Sequence, residues 1–215
     1  MFNVMANDVG KASRAMRKVF IDCGVREGDG IAAFLGDQTV GGGAYARCLR
    51  PRSDAAEFEF IGFESPDYKY LDDTRNRFSK INFVLIEKLV WTHDGAVAFD
   101  SDGESLDCRV LQVSRREEGD PWRHPNPSAI VRDLPCVDLA RCLQEEFADG
   151  DYLVLKLDIE GAEYEVLDRL VETDTLSRVR ELYVEFHWWG PVSLRTRIES
   201  YLQTHPEIHY RNDWP

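Results

Sequence analysis

The sequence predicts an α/β protein with a mostly parallel central sheet and helices on both faces. Two observations support this prediction: short apolar runs alternate with stretches of helical spacing, and four of the apolar runs end in acidic residues. Strands joined through helices run parallel, because each crossover returns the chain to the same end of the sheet. The acidic residues should therefore meet at one edge, which is where such sheets bind ligands.

The first half of the chain contains two buried strands followed by a helix. "KVFIDCG" is a short strand that closes on Asp22 and Gly24, and "EFIGFESP" is a second strand that closes on Glu64. Helical spacing follows in "DYKYLDDTRNRF". "INFVLIEKLVWT" then supplies a third strand, and "GAVAFDS" a short one after the turn at Asp94 and Gly95.

The second half repeats the alternation of helix and strand. "CVDLARCLQEEF" is an amphipathic helix, and its apolar positions are Val137, Leu139, Leu143 and Phe147. The helices "AEYEVLDRLVE" and "SLRTRIESYLQTH" follow later.

Two strands of this half end in polar groups. "YLVLKLDIEG" closes on Asp158 and Glu160, and "RELYVEFH" closes on Glu185 and His187. The sequence therefore places four more polar side chains at the edge of the sheet where Asp22 and Glu64 are expected.

We predict a single domain over residues 1–215, because a chain of this length with 43% hydrophobic residues can bury one sizeable core. Residues 1–17 are interpreted as an N-terminal extension or helix. Residues 36–57, rich in glycine, and residues 107–132, with several prolines and mixed charge, are interpreted as inserted loops. Each loop is either a plain surface connection or a segment near the substrate.

The composition excludes several classes of protein. A formal net charge of −13 opposes binding to nucleic acid or to anionic membranes, so we expect a small-molecule or glycan partner. The five cysteines are odd in number and form no CxxC pair, which predicts neither a disulfide framework nor a zinc site but reduced thiols in a cytoplasmic protein. No secretory apolar region and no membrane span are predicted.

The segment "FIDCGVREGDG" places Asp22, Gly24 and Gly28 in the pattern DxGxxxG directly after a strand. Gly24 would allow a tight turn close to a ligand, and Gly28 the close approach of the next helix. A dinucleotide fingerprint needs a glycine where Arg26 stands, and no phosphate-binding loop of the GxxxxGK type occurs. The loop favours a ligand with an amino acid and a nucleoside but no phosphate, and S-adenosylmethionine fits that description.

Glu64 closes the second strand, at the position where an acidic residue binds both ribose hydroxyls in related sheets. Such a residue normally lies about 20 residues beyond the glycine loop, whereas Glu64 lies 40 residues beyond Gly24. The extra length falls on residues 36–57, and we therefore interpret that stretch as an insertion.

The segments "VFIDCGVREGD", "FIGFESPDYKYL", "VDLARCL", "LKLDIEGAEYEVL" and "RELYVEFH", in this order, resemble the FkbM family of S-adenosylmethionine-dependent methyltransferases. The resemblance extends from about Lys18 to His187, and its most specific part matches K-x-D-x-E-G-x-E-x-x-x-L. It implies a Rossmann-like class I methyltransferase fold and methyl transfer to oxygen. Members often act on sugar or polyketide hydroxyls.

The resemblance also implies roles for individual residues. It places Asp22 and Gly24 on the cofactor loop, Glu64 at the ribose and Asp158 at the acidic end of the fourth main strand. The predicted cofactor-binding residues are Asp22, Gly24, Gly28, Glu64, Ser65 and Asp158.

Two departures from the family pattern occur. Members commonly have Asn between the glycines of the first loop ("GANxG"), where this chain has Arg26 followed by Glu27. The proline usual after the ribose acid stands one residue later, because Ser65 precedes Pro66.

Methyl transfer to a hydroxyl requires that the acceptor oxygen be held in line and lose its proton. His187 is the favoured general base, since the ordinary pKa of histidine lies near neutrality, and Asp158 or Glu185 would orient it. A divalent cation is the alternative. Asp158, Glu160 and Glu185 would then supply oxygen ligands for Mg²⁺ or Mn²⁺, and His187 a nitrogen ligand.

Three charged residues near this edge have simpler interpretations. Lys156 lies inside its strand and should pair with a neighbouring carboxylate, because a buried lysine needs a partner. Glu163 and Glu165 fall in the first turn of the following helix, where carboxylates complement the helix dipole.

The leading hypothesis is an O-methyltransferase for a small hydroxylated acceptor, most simply a sugar or glycan. The alternative is a degenerate relative that binds without catalysis, for which "GVREG" is the hint. Arg26 and the missing third glycine disfavour an NAD-dependent oxidoreductase. The net charge of −13 and the absence of a basic stripe disfavour a nucleic-acid methyltransferase.

Overall fold

The structure is a computed structural model that describes residues 15–37, 51–101, 109–110, 130–187 and 190–212. Most of the predicted N-terminal extension (residues 1–14) lies outside the described residues. So do residues 38–50 of the first predicted loop, and residues 107–108 and 111–129 of the second. In chain order the helices and strands are β1 (Lys18–Cys23), α1 (Asp29–Leu35), β2 (Phe58–Glu64), α2 (Leu71–Arg77), β3 (Phe83–Glu87), β4 (Leu89–Trp91), β5 (Gly95–Ser101), β6 (Arg109–Val110), β7 (Ile130–Asp138), α3 (Leu139–Glu146), β8 (Tyr152–Leu157), α4 (Glu163–Glu172), β9 (Val179–Val184), α5 (Val192–Thr204) and β10 (His209–Arg211).

Six parallel strands form the central sheet in the spatial order β3-β2-β1-β8-β9-β10. From β1 the chain moves outward to β2 and β3 on one side, and it later returns through β8 to build the other side. The strand order therefore reverses between β1 and β8. A crevice opens at the carboxyl ends of strands at such a reversal, and ligands bind there.

Apolar side chains cover both faces of this sheet. Along β1, Val19 and Ile21 join the core that packs against α3 and α4, whereas Phe20 joins the core that packs against α1. Alternate side chains of a strand point to opposite faces, so a strand buried on both faces needs a continuous apolar run. The predicted α/β fold with a parallel sheet and helices on both faces is confirmed.

Helix α3 begins later than its sequence pattern suggests. Val137 belongs to β7 and not to the predicted helix, which starts at Leu139. Asp138 sets this boundary, because its side chain accepts hydrogen bonds from the backbone N–H groups of Ala140 (2.9 Å) and Arg141 (3.3 Å). Leu143 and Phe147 are buried as predicted.

A second, four-stranded sheet has the order β4-β7-β5-β6 and was not predicted. The predicted third strand "INFVLIEKLVWT" is wrong as one element: it contains β3 of the central sheet and β4 of the second sheet, separated at Lys88. The backbone N–H of Lys88 donates to the carbonyl of Ile86 at 2.9 Å, a tight turn that redirects the chain. Residues 109–110 and 130–132 also belong to strands of this sheet, although they lie within the second predicted loop.

Candidate active site

The loop after β1 is bonded to both neighbouring strands. The backbone N–H groups of Gly24 and Val25 donate to the carbonyl of Phe63 at the end of β2, at 3.0 and 3.2 Å. Gly24 has a φ of 78°, and a Cβ atom there would lie 1.9 Å from the carbonyl oxygen of Asp158. Only glycine fits this position, because the conformation is left-handed and the backbone after β8 is in contact. The loop thus joins the ends of β1, β2 and β8.

We expect Gly24→Ala to lower the free energy of unfolding by about 2–4 kcal/mol, since it combines a left-handed alanine with a backbone clash. Gly150→Ala is the matched control, because a Cβ atom at Gly150 meets nothing within 4 Å. It should change the free energy of unfolding by less than about 0.5 kcal/mol. Urea unfolding of both variants measures the difference, and equal losses would contradict the role given to Gly24.

Glu64 closes the same loop through its side chain. One carboxylate oxygen accepts a hydrogen bond from the backbone N–H of Arg26, and the other accepts one from the backbone N–H of Ser65, both at 2.7 Å. Burial raises the pKa of Glu64 above its ordinary value, against the lowering effect of these two bonds. Each carboxylate oxygen has a second lone pair, so Glu64 can also accept hydrogen bonds from two ligand hydroxyls.

A cavity of about 420 Å³ opens above this loop, at the carboxyl ends of β1, β2 and β8. Its wall combines polar groups from the strand ends with apolar groups from the second sheet. The lining residues that matter for binding are Gly24, Arg26, Glu64, Ser65, Tyr68, Lys88, Leu89, Val90, Phe99, Val110, Asp158 and Glu160. Four of the six predicted cofactor-binding residues, Gly24, Glu64, Ser65 and Asp158, therefore line one cavity of a size that suits a small ligand.

The other two predicted cofactor-binding residues lie behind the cavity wall. Asp22 is fully buried on the face that carries α1, where its carboxylate is 2.9 Å from the ammonium of Lys156. Burial raises the pKa of Asp22 to about 6, although Lys156 opposes the shift. Gly28 caps α1 and packs against the ring of Phe78. Asp22 and Gly28 thus support the loop and do not line the cavity, and Lys156 pairs with a carboxylate as predicted.

Arg26 has left-handed backbone geometry, with a φ of 47°. Its N–H donates to Glu64, and its carbonyl accepts from the hydroxyl of Thr74 at 2.7 Å, so neighbouring groups hold the peptide on both sides. Asn is among the non-glycine residues most often found in this conformation. This conformation gives a physical reason for the Asn of the "GANxG" pattern at the same position.

Replacing Arg26 by Asn and by Ala separates this backbone effect from the loss of the arginine side chain. We expect the Arg26→Asn variant to have a free energy of unfolding about 1 kcal/mol greater than that of the Arg26→Ala variant, because Asn tolerates the left-handed region better. Parallel urea titrations measure the difference. Equal stabilities would show that the backbone at residue 26 carries no strain.

A second group of titratable side chains lies at the ends of β8 and β9. Ligand atoms of Asp158, Glu185 and His187 all lie within 4.8 Å of one another. Burial and the nearby Asp158 together raise the pKa of Glu185 to about 7, while His187 opposes the shift. Asp158 lines the cavity, so this group borders the ligand space. The three predicted catalytic residues are thus brought together.

His187 is held between two carboxylates. Its Nδ1 lies 3.0 Å from Glu163, and its Nε2 lies 3.2 Å from Glu160. Burial lowers the pKa of His187, but the hydrogen bonds to Glu160 and Glu163 outweigh that effect and raise it to about 11. A ring that is protonated at neutral pH and bonded at both nitrogens is a poor proton acceptor. The geometry therefore disfavours His187 as the general base and leaves Glu185 as the better candidate.

The predicted metal ligands fit a divalent cation poorly in this arrangement. Carboxylates of Asp158, Glu160 and Glu185 have suitable oxygens for Mg²⁺ or Mn²⁺. However, Glu160 is ion-paired with His187, and a histidine can bind a metal only through a deprotonated nitrogen. A positively charged ring beside the carboxylates would also repel the ion. We therefore assign no catalytic step to a metal.

Sequence reasoning missed the apolar wall of the cavity and the role of Glu163. Leu89, Val90, Phe99 and Val110 come from the second sheet, and no local pattern indicated that this sheet would cover the strand ends. Glu163 was interpreted through the helix dipole. No sequence signal indicated its role, because only the structure shows that Glu163 is fully buried at the start of a helix, where a dipole partner would normally remain in solvent.

A parallel α/β sheet with a glycine loop after its first strand, an acid after its second and a cavity above both has the features of a Rossmann-like methyltransferase. The profile of the Methyltransferase FkbM domain matches residues 22–206, so the chain belongs to the FkbM methyltransferase family. Neither the curated proteins nor the solved structures give a significant match. Among the residues that the structure describes, every helix is too short or too polar to cross a membrane.

Proposed function

We propose that this methyltransferase moves a methyl group from S-adenosylmethionine to a hydroxyl oxygen of a small acceptor, most simply a sugar or glycan. The observation that carries the proposal is the cavity of about 420 Å³ that is lined by Glu64 and by Asp158 at the end of β8, with Glu185 at the end of β9 within 4.8 Å of Asp158. One end of the cavity suits a nucleoside. Carboxylates at the other end can take a proton from an acceptor hydroxyl.

The residues of the nucleoside end fit the methyl donor. Glu64 would accept hydrogen bonds from the ribose hydroxyls, because its oxygens are already aligned by Arg26 and Ser65. Leu89 and Val90 offer an apolar surface to the adenine ring. When bound, S-adenosylmethionine supplies a sulfonium methyl group as the electrophile.

The acceptor end supplies the base. Glu185 lies within 4.8 Å of Asp158, which lines the cavity, and its pKa of about 7 lets it accept a proton near neutral pH. Asp158 keeps the local field negative, which raises the basicity of Glu185 and favours a cationic donor. These two carboxylates therefore can position the acceptor hydroxyl and deprotonate it.

A cytoplasmic location forms part of the proposal. The described cysteines Cys23, Cys136 and Cys142 are free thiols, as expected in a reducing compartment. Binding without catalysis is the weaker alternative, because Arg26, its sequence hint, still holds Glu64 at 2.7 Å as a working loop requires.

A transfer assay tests the proposed function. We would incubate the protein with S-adenosylmethionine that carries a tritiated methyl group and with a panel of free sugars, glycosides and polyols. The expected result is label in an alkali-stable methyl ether of at least one sugar. Label only in carboxylate, amine or thiol acceptors offered in parallel would contradict O-methylation.

A further inference from the structure

Four carboxylates surround the imidazole of His187. Asp158 and Glu185 have oxygens within 4.8 Å of a ring nitrogen, and Glu163 and Glu160 lie at 3.0 and 3.2 Å. Like charges this close in a partly buried site repel each other strongly unless a cation lies among them. A positive charge among the four carboxylates would offset this repulsion.

The contacts of the ring show where that charge is. Nδ1 faces a carboxylate oxygen of Glu163, and Nε2 faces one of Glu160. Carboxylates accept hydrogen bonds, so an imidazole that satisfies both must carry a proton on each nitrogen, and such a ring is cationic. With both carboxylates ionised, the contacts thus place a positive charge at the centre of the acidic group.

Glu163 holds the ring of His187 in place. It is the first residue of α4, and its side chain is fully buried. One of its oxygens accepts both the ring N–H of His187 and the backbone N–H of Ile159, the latter at 2.7 Å. Glu163 therefore holds the imidazole and also the turn that carries Asp158 and Glu160 into the cavity.

The next residue of the helix fixes the backbone of His187. The hydroxyl of Tyr164 donates to the carbonyl of His187 at 2.6 Å, and the ring of Tyr164 packs against Gly190. The first turn of α4 thus holds His187 by its ring and by its main chain. A side chain held from two directions keeps a precise position relative to the cavity.

We propose that His187 is the resident cation of this site, in the position that a divalent ion would otherwise take, and that Glu163 is the positioning residue that keeps it there. The inference rests on the proposed function in taking the cluster as the acceptor end of the cavity. It extends that function, because it means that the acidic group needs no Mg²⁺ or Mn²⁺ and that Glu160 is held in place by an imidazolium.

Manganese binding tests the resident cation. We would titrate Mn²⁺ into the wild type and into His187→Gln, His187→Lys and His209→Gln, where His209 is an exposed histidine that serves as the control. The Gln variant removes the charge and should bind Mn²⁺ at least about tenfold more tightly than the wild type. The Lys variant keeps the charge and should behave as the wild type does, as should the control.

Two results would overturn the proposal. The first is a wild type that binds one Mn²⁺ per chain and loses it in His187→Gln, because the imidazole would then be a metal ligand. The second is a folded His187→Gln variant with no gain in Mn²⁺ binding. If His187→Gln does not fold, the wild type and His187→Lys still decide: tighter Mn²⁺ binding by the wild type than by the Lys variant refutes a resident cation.

The positioning role of Glu163 has its own readout at one fixed pH. Nitrogen-15 spectra of the wild type should show two ring N–H signals of His187, assigned by their loss in His187→Lys. Glu163→Gln should broaden or shift the Nδ1 signal, whereas Glu165→Gln, in the same helical turn, should not. Equal spectra for the two Gln variants would contradict the positioning role and leave Glu163 with a helix-dipole role only. Binding of S-adenosylhomocysteine, measured separately on the wild type, reports on the proposed function and leaves these results independent of it.

Discussion

Replacing Glu185 by Gln should lower kcat by about 10²–10⁴-fold, the contribution expected of a general base. The variant keeps the shape of the side chain but cannot take a proton from the acceptor. The affinity for S-adenosylhomocysteine should change by less than about twofold, because the nucleoside end of the cavity is unaltered. Turnover with the acceptor found in the transfer assay measures the loss. The control is Glu207→Gln, which alters an exposed carboxylate between α5 and β10.

The pH profile gives a second test of Glu185. Burial raises its pKa from the ordinary value of 4.5 to about 7, so the carboxyl is protonated below that pH and cannot act as a base. We therefore expect kcat/KM to rise with pH up to about 7 and to level off above it. The Glu185→Gln variant should lose this rise. A wild-type rate that falls as the pH increases from about 5 to about 7 would contradict the assignment.

Replacing Glu64 by Gln should weaken the binding of S-adenosylhomocysteine by about 10–100-fold. Hydrogen bonds to a charged acceptor contribute roughly 1.5–3 kcal/mol each, and Gln offers one neutral oxygen in place of a carboxylate. Its amide also faces a backbone N–H that Glu64 now satisfies. The loss should appear in the affinity for the donor and much less in kcat at saturating donor.

The control for Glu64 lies on the adjacent strand. Glu87 is the register partner of Glu64 at the same end of the sheet, but its side chain is exposed and pairs with Arg75. Glu87→Gln should leave the affinity for S-adenosylhomocysteine unchanged. If both substitutions weaken binding equally, the effect comes from the net charge of this edge, and Glu64 has no specific role at the ribose.

The central sheet could be predicted because its inner strands are buried on both faces. β1, β2 and β8 each need apolar residues on consecutive positions, and such runs are visible in the sequence. The second sheet could not be predicted in this way. "INFVLIEKLVWT" is one apolar run, and the turn at Lys88 that sends β3 and β4 to different sheets depends on packing against distant parts of the chain.

Several of the residues predicted from the strand ends line the cavity, but the strand ends did not indicate the face of the sheet to which each side chain points. Asp22 was expected at the cavity because it closes β1, yet its side chain points to the face of α1. Lys156 is its register partner on β8, and two opposite charges at paired positions of adjacent parallel strands indicate a buried ion pair. The register of β1 and β8 was needed to see this, and the sequence alone does not contain it.

His187 shows a further limit of sequence reasoning. Histidine was favoured as the base because of its ordinary pKa, and that choice assumed an ordinary environment. The environment is set by Glu163, which lies 24 residues earlier on a different element. Only the packing of α4 against the end of β9 brings the two together, so the exchange of roles between His187 and Glu185 could not be predicted from local pattern.

Calorimetric titration of S-adenosylhomocysteine into the wild-type protein, with EDTA present, tests whether the cavity holds the methyl donor. We expect saturable binding of one molecule per chain, because Glu64, the glycine loop and the apolar wall form one nucleoside site. We also expect the same affinity when Mg²⁺ replaces EDTA. A flat titration under both conditions would contradict the claim that this cavity holds the methyl donor.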